Sequence, residues 1–198
     1  MARSAFGSLA PRAAASGLWL KVGALLALIA LNVAIFIAPI DYLALGGLAY
    51  AGAFAATFIA NAAVVIPVPY IPVVAQILRS ADNTALVVLL AALGSAMGES
   101  VAYFVGRVEK DLFTGHRWYE RIHGFFTHEW RAGLFLFFFA IPLNPFFDGG
   151  GFGAGALGIR FPVFFVAVFL GRIVRLAILA VIAIGLLGPI GPVPLATR

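Results

Sequence analysis

Ionisable side chains within strongly apolar sequence are the most informative feature of this chain. Glu99 interrupts one long apolar run, and Arg172 and Arg175 interrupt another. Because the two arginines are three residues apart, they share nearly the same face of a helix. A charged group at bilayer depth must be paired, hydrated or neutralised, and a planar guanidinium binds carboxylate or phosphate through two hydrogen bonds. The pattern indicates either a structural ion pair or a site for a phosphate-bearing or proton-linked substrate.

A cluster of helix-breaking residues adds further polar groups. Pro142 and Pro145 enclose Asn144, and Asp148 follows them directly before three glycines. Each proline ring removes an amide donor and clashes with the preceding turn, so a continuous helix is not expected here. Asp148 is expected either to pair with an arginine or to carry a proton. The candidate substrate or coupling residues are therefore Glu99, Asn144, Asp148, Arg172 and Arg175.

Composition restricts the class of protein. With 63% hydrophobic and 11% charged residues and a mean hydropathy of +1.07, the 198 residues carry more apolar surface than a soluble core of that length could bury. An integral membrane protein is predicted. The net charge of +5 is dispersed among apolar segments, which argues against a nucleic-acid partner. The chain has no cysteine, and its three histidines lack the spacing of metal ligands, so neither a metal nor a cofactor is expected.

Residues 1–41 are predicted to form an N-terminal cytoplasmic segment and a first transmembrane helix. The run 22–40 is uncharged and about as long as a spanning helix, and it is longer than the apolar part of a typical signal peptide. Its flank carries Arg3, Arg12 and Lys21, which predicts a cytoplasmic N-terminus. Residues 189–198 are expected to be a short C-terminal tail.

Residues 42–188 are predicted to form one membrane domain that contains a repeated unit. The stretch 42–78 is too long for one crossing and too short for two crossings with a turn, and 132–159 repeats this arrangement. Each is interpreted as a broken helical hairpin. The alternative, in which 42–60 crosses the membrane fully, stays open. The expected hairpin breaks are Asn61, Pro67 and Pro69 in the first stretch and Pro142 and Pro145 in the second.

A spanning helix is predicted after each broken stretch, at 83–106 and 161–188, with an interfacial helix at 107–131 between the two units. Because one span separates the hairpins, they should enter from opposite sides and form an inverted repeat. The predicted fold class is an all-α integral membrane protein with spanning helices plus two re-entrant helical hairpins arranged as an inverted repeat. Small residues every four positions along the first span predict close helix packing, at Gly94, Gly98 and Gly106.

Several short motifs occur together between residues 43 and 188. They are Asn144-Pro145-Phe146-Phe147-Asp148, the glycine-rich 149–158, Phe161-Pro162, Gly171-Arg172 with Arg175, and Gly98-Glu99 ahead of Tyr103-Phe104-Val105-Gly106-Arg107. In combination they resemble the DedA superfamily of membrane proteins, also described by its VTT domain or as SNARE-associated Golgi proteins. The resemblance implies two re-entrant hairpins that meet head to head. It also implies an activity that moves lipids or lipid-phosphate carriers across the bilayer, in some members linked to protons.

One departure from that superfamily bears on proton coupling. First hairpins of the DedA type carry acidic residues near the prolines, whereas this one offers only Asn61. Glu99 and Asp148 are left as the candidate carboxylates. The expected partners are membrane lipids, with protons as a candidate coupling ion and a homo-oligomer as a candidate assembly. The expected location is a bacterial inner (plasma) membrane, which the chain crosses several times.

Several functions can be weighed against these features. The expected function is translocation of a lipid or lipid phosphate by a scramblase or flippase-like transporter. The alternative is a small-molecule exporter, or a membrane-protein assembly factor without direct transport. An enzyme is not expected, because the chain has no HExxH motif, no GxSG serine paired with a helical histidine, and no paired aspartates in a GxGD context.

Overall fold

The computed structural model describes residues 29–35, 42–63, 69–109, 128–142 and 148–189, together with the single positions 23, 26, 27, 124 and 126. All regular structure in this part of the chain is helical. A 3-10 helix, Tyr42–Leu45, comes first, and residues 29–35 are also helical. We label the following α-helices in chain order as α1 Gly47–Ala62, α2 Tyr70–Ser80, α3 Thr84–Val108, α4 Glu129–Ala140, α5 Asp148–Ala156 and α6 Phe161–Leu187.

Two long helices, α3 and α6, form the centre of the molecule. The side chain of Asn83 accepts a hydrogen bond from the amide of Leu86 at 3.0 Å and so caps the start of α3. Pro162 lies in the first turn of α6, where its missing N–H leaves no bond unmade. At 1.5 Å per residue the helices extend about 37 and 40 Å, more than the roughly 30 Å of a hydrocarbon core. Both are long and apolar enough to cross a membrane.

The two central helices run antiparallel. An apolar groove joins the first turns of α3, at Thr84 and Val88, to the later turns of α6, at Ile173 and Ala180. At the opposite end, the ring of Tyr103 in α3 stacks on Phe164 in α6 with ring centroids 4.7 Å apart. These contacts define two ends of the molecule. We call them the α3 start end and the α6 start end.

Helices α1 and α2 reach from the α3 start end to the middle. Near the beginning of α1, the Tyr50 hydroxyl accepts a hydrogen bond from the amide of Asn83 at 3.3 Å. Near the end of α2, Arg79 contacts the carbonyl of Gly188 at 2.8 Å. The end of α1 instead reaches the middle of α6, where Asn61 contacts Arg172. The chain between α1 and α2 is therefore interrupted halfway along the central helices.

Helices α4 and α5 reach the middle from the other end. Glu129, at the start of α4, forms an ion pair with Arg160, the residue before α6. After α5, the carbonyl of Ile159 accepts a hydrogen bond from the Tyr103 hydroxyl at 2.5 Å. The end of α4 packs Ala140 against Gly171, and Gly151 in α5 lies against the backbone carbonyl of Glu99. The second interruption is therefore also near the middle of α3 and α6.

Two apolar clusters lie on either side of this middle level. The cluster at the α3 start end joins α1, α2, the first half of α3 and the second half of α6, and the other joins α4, α5 and the remaining halves. The first consists of Ala49, Ala53, Val74, Ala75, Ile77, Leu78, Val87, Val88, Ala91, Ala92, Leu176, Leu179, Ala180 and Ala183. The second consists of Ala96, Tyr103, Ala132, Leu136, Ala140, Ala154, Ile159, Phe164, Ala167 and Val168.

The expectation of an all-helical protein is confirmed for the described residues. Several bounds need correction. Helix α3 continues to Val108 rather than ending at 106, and α4 already begins at Glu129, so both ends of the predicted interfacial helix belong to other elements. Helix α2 continues past 78 to Ser80, where Arg79 is held by hydrogen bonds. Helix α6 ends one residue early because Gly188 adopts a positive φ of 71°.

Some sequence predictions fall outside the described residues. Most of the predicted interfacial helix, 110–123, is among them, and the first transmembrane helix at 22–40 is described only in part. The N-terminal cytoplasmic segment before residue 23 and the C-terminal tail after residue 189 also lie outside the described part of the chain.

Candidate functional site

A buried ion pair occupies the middle level of the molecule. The guanidinium of Arg172 in α6 contacts the carboxylate of Glu99 in α3, and the two residues are 1% and 2% exposed. Two charges removed from water are costly unless their geometry and further hydrogen bonds are favourable. The pair thus needs additional polar groups around it.

Helix α1 supplies one of these groups. Arg172 Nη2 donates a hydrogen bond to Oδ1 of Asn61 at 3.3 Å. The Asn61 side-chain nitrogen in turn donates to the carbonyl of Thr57 at 2.7 Å, so the amide is oriented with its oxygen toward the arginine. From α2, the side chain of Tyr70 is also within hydrogen-bonding reach of Arg172. The last turn of α1 and the first turn of α2 therefore converge on one guanidinium.

Arg175 and Ser95 extend the same buried region along the two central helices. Arg175 follows Arg172 by one turn and is 8% exposed, and no described residue forms an ion pair with it. Ser95 precedes Glu99 by one turn, and its hydroxyl is buried without a hydrogen-bond partner among the described residues. We define the polar centre as Asn61, Ser95, Glu99, Arg172 and Arg175.

The described side chains of the polar centre carry two positive charges and one negative charge. A buried cation without a counter-charge is unfavourable, because the low-dielectric surroundings do not replace its hydration. The arrangement is suited to an anion that brings both charge and several hydrogen-bond acceptors. A phosphate group has these properties, and arginine forks match its geometry.

Other residues predicted from the sequence have different placements. Asp148 begins α5, which contacts α3 at Gly151 and Gly155, but its side chain is outside the described part of the structure. Asn144, Pro145 and Pro67 also lie outside it. Pro69 directly precedes α2, and Pro142 follows the end of α4. Of the prolines predicted as hairpin breaks, the two that the structure describes, Pro69 and Pro142, thus lie at the helix interruptions.

The glycines predicted to pack helices lie where backbones approach closely. A methyl group at Gly98 would be 2.5 Å from the carbonyl oxygen of Phe58 in α1, and one at Gly94 would clash with the carbonyl of Phe54. Gly106 instead faces the carbonyl of Phe152 in α5. The closeness of α1 and α5 to α3 is what brings both interruptions to the level of Glu99.

A second polar cluster, which was not predicted from the sequence, lies at the α3 start end. Arg79 donates from Nε to the carbonyl of Gly188 and, at 3.0 Å, from Nη2 to that of Leu187, so it caps the last turn of α6. Gln76, one turn earlier in α2, donates to the carbonyl of Ile35 at 2.9 Å. Gln76 and Arg79 are polar residues three positions apart in an otherwise apolar stretch. That spacing is the sequence signal by which this cluster could have been predicted.

A surface ion pair lies at the α6 start end. The Glu129 carboxylate accepts a hydrogen bond from Arg160 at 2.8 Å, and this contact raises the pKa of the Arg160 guanidinium above its ordinary value. Both side chains are more than half exposed, so the pair contributes little to stability.

Comparison with known proteins adds no relative to this description. No protein-family model, no curated protein and no solved structure matches the chain.

Proposed function

We propose that this protein moves a lipid or lipid phosphate across a membrane, in the manner of a scramblase or flippase of the DedA type. The observation that carries the proposal is the excess positive charge of Arg172 and Arg175 over Glu99, buried at the level where two helix pairs are interrupted. A headgroup phosphate would supply the missing negative charge. Its acyl chains would stay in the bilayer.

The proposed architecture is an inverted repeat of two re-entrant hairpins. In support of it, α1 with α2 and α4 with α5 contact opposite ends of the central helices and both reach Glu99 or Arg172 from there. Irregular backbone at membrane depth is tolerated only where it is buried in protein or lines a polar cavity. Interruptions that meet from both sides are the arrangement in which transporters build a midplane site.

Glu99 is proposed as the coupling carboxylate. Its charge holds Arg172 while no substrate is bound, and uptake of a proton would remove that charge and release the guanidinium for a phosphate. Proton uptake and phosphate binding would then favour one another. The Ser95 hydroxyl offers a hydrogen bond to a water molecule or headgroup oxygen in the same region.

Reconstitution tests the proposal. Purified full-length protein is placed in liposomes that carry a fluorescent phospholipid or a fluorescent polyprenyl phosphate, and exposure of the label to an outside quencher is followed over time. We expect exposure to be faster than in protein-free liposomes for at least one of the two lipids. No acceleration with either lipid contradicts the proposal, and substrate-dependent ion currents would favour an exporter.

Arg175→Lys is the informative variant. It keeps the charge but loses the fork that binds phosphate at two points, and no described ion pair is broken. Because a hydrogen bond to a charged group contributes about 1.5–3 kcal/mol, we expect transport to fall roughly tenfold or more. The matched control is Arg160→Lys, at an exposed pair, which should transport normally. Equal transport by both variants would remove Arg175 from the proposed site.

A further inference from the structure

A cavity lies at the α3 start end, away from the polar centre. It has a volume of about 220 Å³ and is lined by the 3-10 helix, the start of α1 and the chain between α2 and α3. A cavity of this size has room for several water molecules or one small organic group. The lining residues that carry chemistry are Tyr42, Tyr50, Ser80 and Asp82.

The charge contributed by the described lining residues of the cavity is negative. Asp82 is the charged residue among the described lining residues, its side chain is exposed, and no described residue forms an ion pair with it. The nearest arginine in sequence, Arg79, is committed to the carbonyls that end α6. The Ser80 hydroxyl donates to the carbonyl of Gln76 at 2.9 Å and so offers oxygen lone pairs to a ligand. Anions are disfavoured here, and a cation is favoured.

Two aromatic rings in the lining narrow the choice of cation. Tyr42 and Tyr50 are both half-buried and contribute to the wall of the same cavity. Aromatic side chains combined with a carboxylate are the chemistry by which proteins recognise alkylammonium groups, through cation–π attraction. A compact metal ion would instead need several oxygen ligands at short distance. The composition therefore favours an organic cation.

We propose that this cavity binds an alkylammonium group, with Asp82 as the counter-charge and Tyr42 and Tyr50 as its aromatic walls. The cavity is at the end where the spanning helix α3 begins, which is the level of lipid headgroups if α3 crosses the membrane. The ammonium group can come from a zwitterionic lipid headgroup or from a free organic amine. The site is distinct from the polar centre, so binding tests it independently of lipid transport.

Two binding measurements on the full-length protein in a non-ionic detergent test the site. In one, tetramethylammonium chloride is titrated by calorimetry, with sodium chloride as the blank. In the other, the protein is incubated with equal amounts of phosphatidylcholine and phosphatidylglycerol, and the retained lipids are counted by native mass spectrometry. Retention of phosphatidylcholine over phosphatidylglycerol assigns the site to a lipid headgroup. Binding of tetramethylammonium without that preference supports the site and assigns it to a free amine.

Variants locate the binding. Gly47 lines the cavity and a Cβ atom there would meet no atom within 4 Å, whereas Gly52 has the same open surroundings at its Cβ position in α1 but is not part of the lining. We expect Gly47→Leu and Asp82→Asn to weaken tetramethylammonium binding roughly tenfold or more, and Gly52→Leu to leave it unchanged. Tyr50→Phe, which keeps the ring, should bind more tightly than Tyr50→Leu. Absence of binding in both measurements, or full binding by Asp82→Asn, overturns the proposal.

Discussion

At the scale of the residue, the polar centre has more hydrogen-bonding capacity than a single ion pair needs. Glu99, Asn61 and Tyr70 approach Arg172 from three different helices. Buried ion pairs are weak stabilisers, because desolvation offsets much of their attraction, yet the loss of one partner is strongly destabilising. This asymmetry can be measured in the protein.

Paired substitutions separate the stabilising role from the transport role. Glu99→Leu and Arg172→Met should each lower stability by about 3–5 kcal/mol, because each leaves one buried charge uncompensated. The double variant should recover most of that loss, since no buried charge remains from the pair. Thermal denaturation in detergent gives the comparison. The recovered double variant should not transport lipid, because the guanidinium that binds phosphate is gone. A double variant less stable than either single variant would contradict this account.

At the scale of the element, α5 and α3 approach one another closely at two glycines. Gly155 lies directly against the carbonyl of Tyr103, and Gly106 lies against that of Phe152. Helices come this close only where side chains are absent, and in a membrane such contacts are a principal source of helix association. The position of α5 relative to Glu99 therefore requires residues without a side chain at these two positions.

Two alanine substitutions in α5 form a matched test. Gly155→Ala places a methyl group against the backbone of α3 and should lower the thermal midpoint and displace α5. Gly153→Ala, two residues earlier, meets no atom within 4 Å, and the higher helix propensity of alanine should leave stability unchanged or raise it by up to about 1 kcal/mol. Thermal unfolding of the two variants gives the comparison of their stabilities. An equal decrease of the thermal midpoint in both variants would mean that the glycines of α5 are required for a reason other than packing.

The helix positions were more predictable from the sequence than the side-chain contacts between the helices. Apolar length and proline positions were sufficient to place α3, α6 and the two interruptions, because these depend on local chemistry. A structural ion pair with Glu99 or Asp148 was one of the alternatives for Arg172, and the structure pairs Arg172 with Glu99. Asn61 was considered only as a break, since nothing local shows that it faces an arginine 111 residues later.

At the scale of the whole molecule, the two ends differ in their charged groups. Asp82 and the capped terminus of α6 mark the α3 start end, and the Glu129–Arg160 pair marks the other. In the proposed topology the first of these ends faces away from the cytoplasm. The absence of native cysteine makes this measurable.

Single cysteines introduced into the full-length protein test the topology. Leu45→Cys and Asp82→Cys, both at exposed positions at the α3 start end, should react with an impermeant thiol reagent added outside intact cells. Glu109→Cys and His128→Cys, exposed at the other end, should react only after the membrane is permeabilised. If Leu45→Cys and Asp82→Cys label from opposite sides, the segment between them crosses the membrane and the first hairpin is not re-entrant.

The order in which the chain is synthesised gives the polar centre a further consequence. Asn61 and Glu99 emerge from the ribosome well before α6. Arg172, which lies in α6, is synthesised 111 residues after Asn61. In the proposed membrane topology, the Glu99 carboxylate therefore enters the bilayer before its counter-charge and must be protonated or hydrated until α6 follows. A nascent chain that stalls before α6 is completed thus exposes a polar helix face to lipid. We expect this exposed polar face to distinguish an unfinished molecule from a finished one.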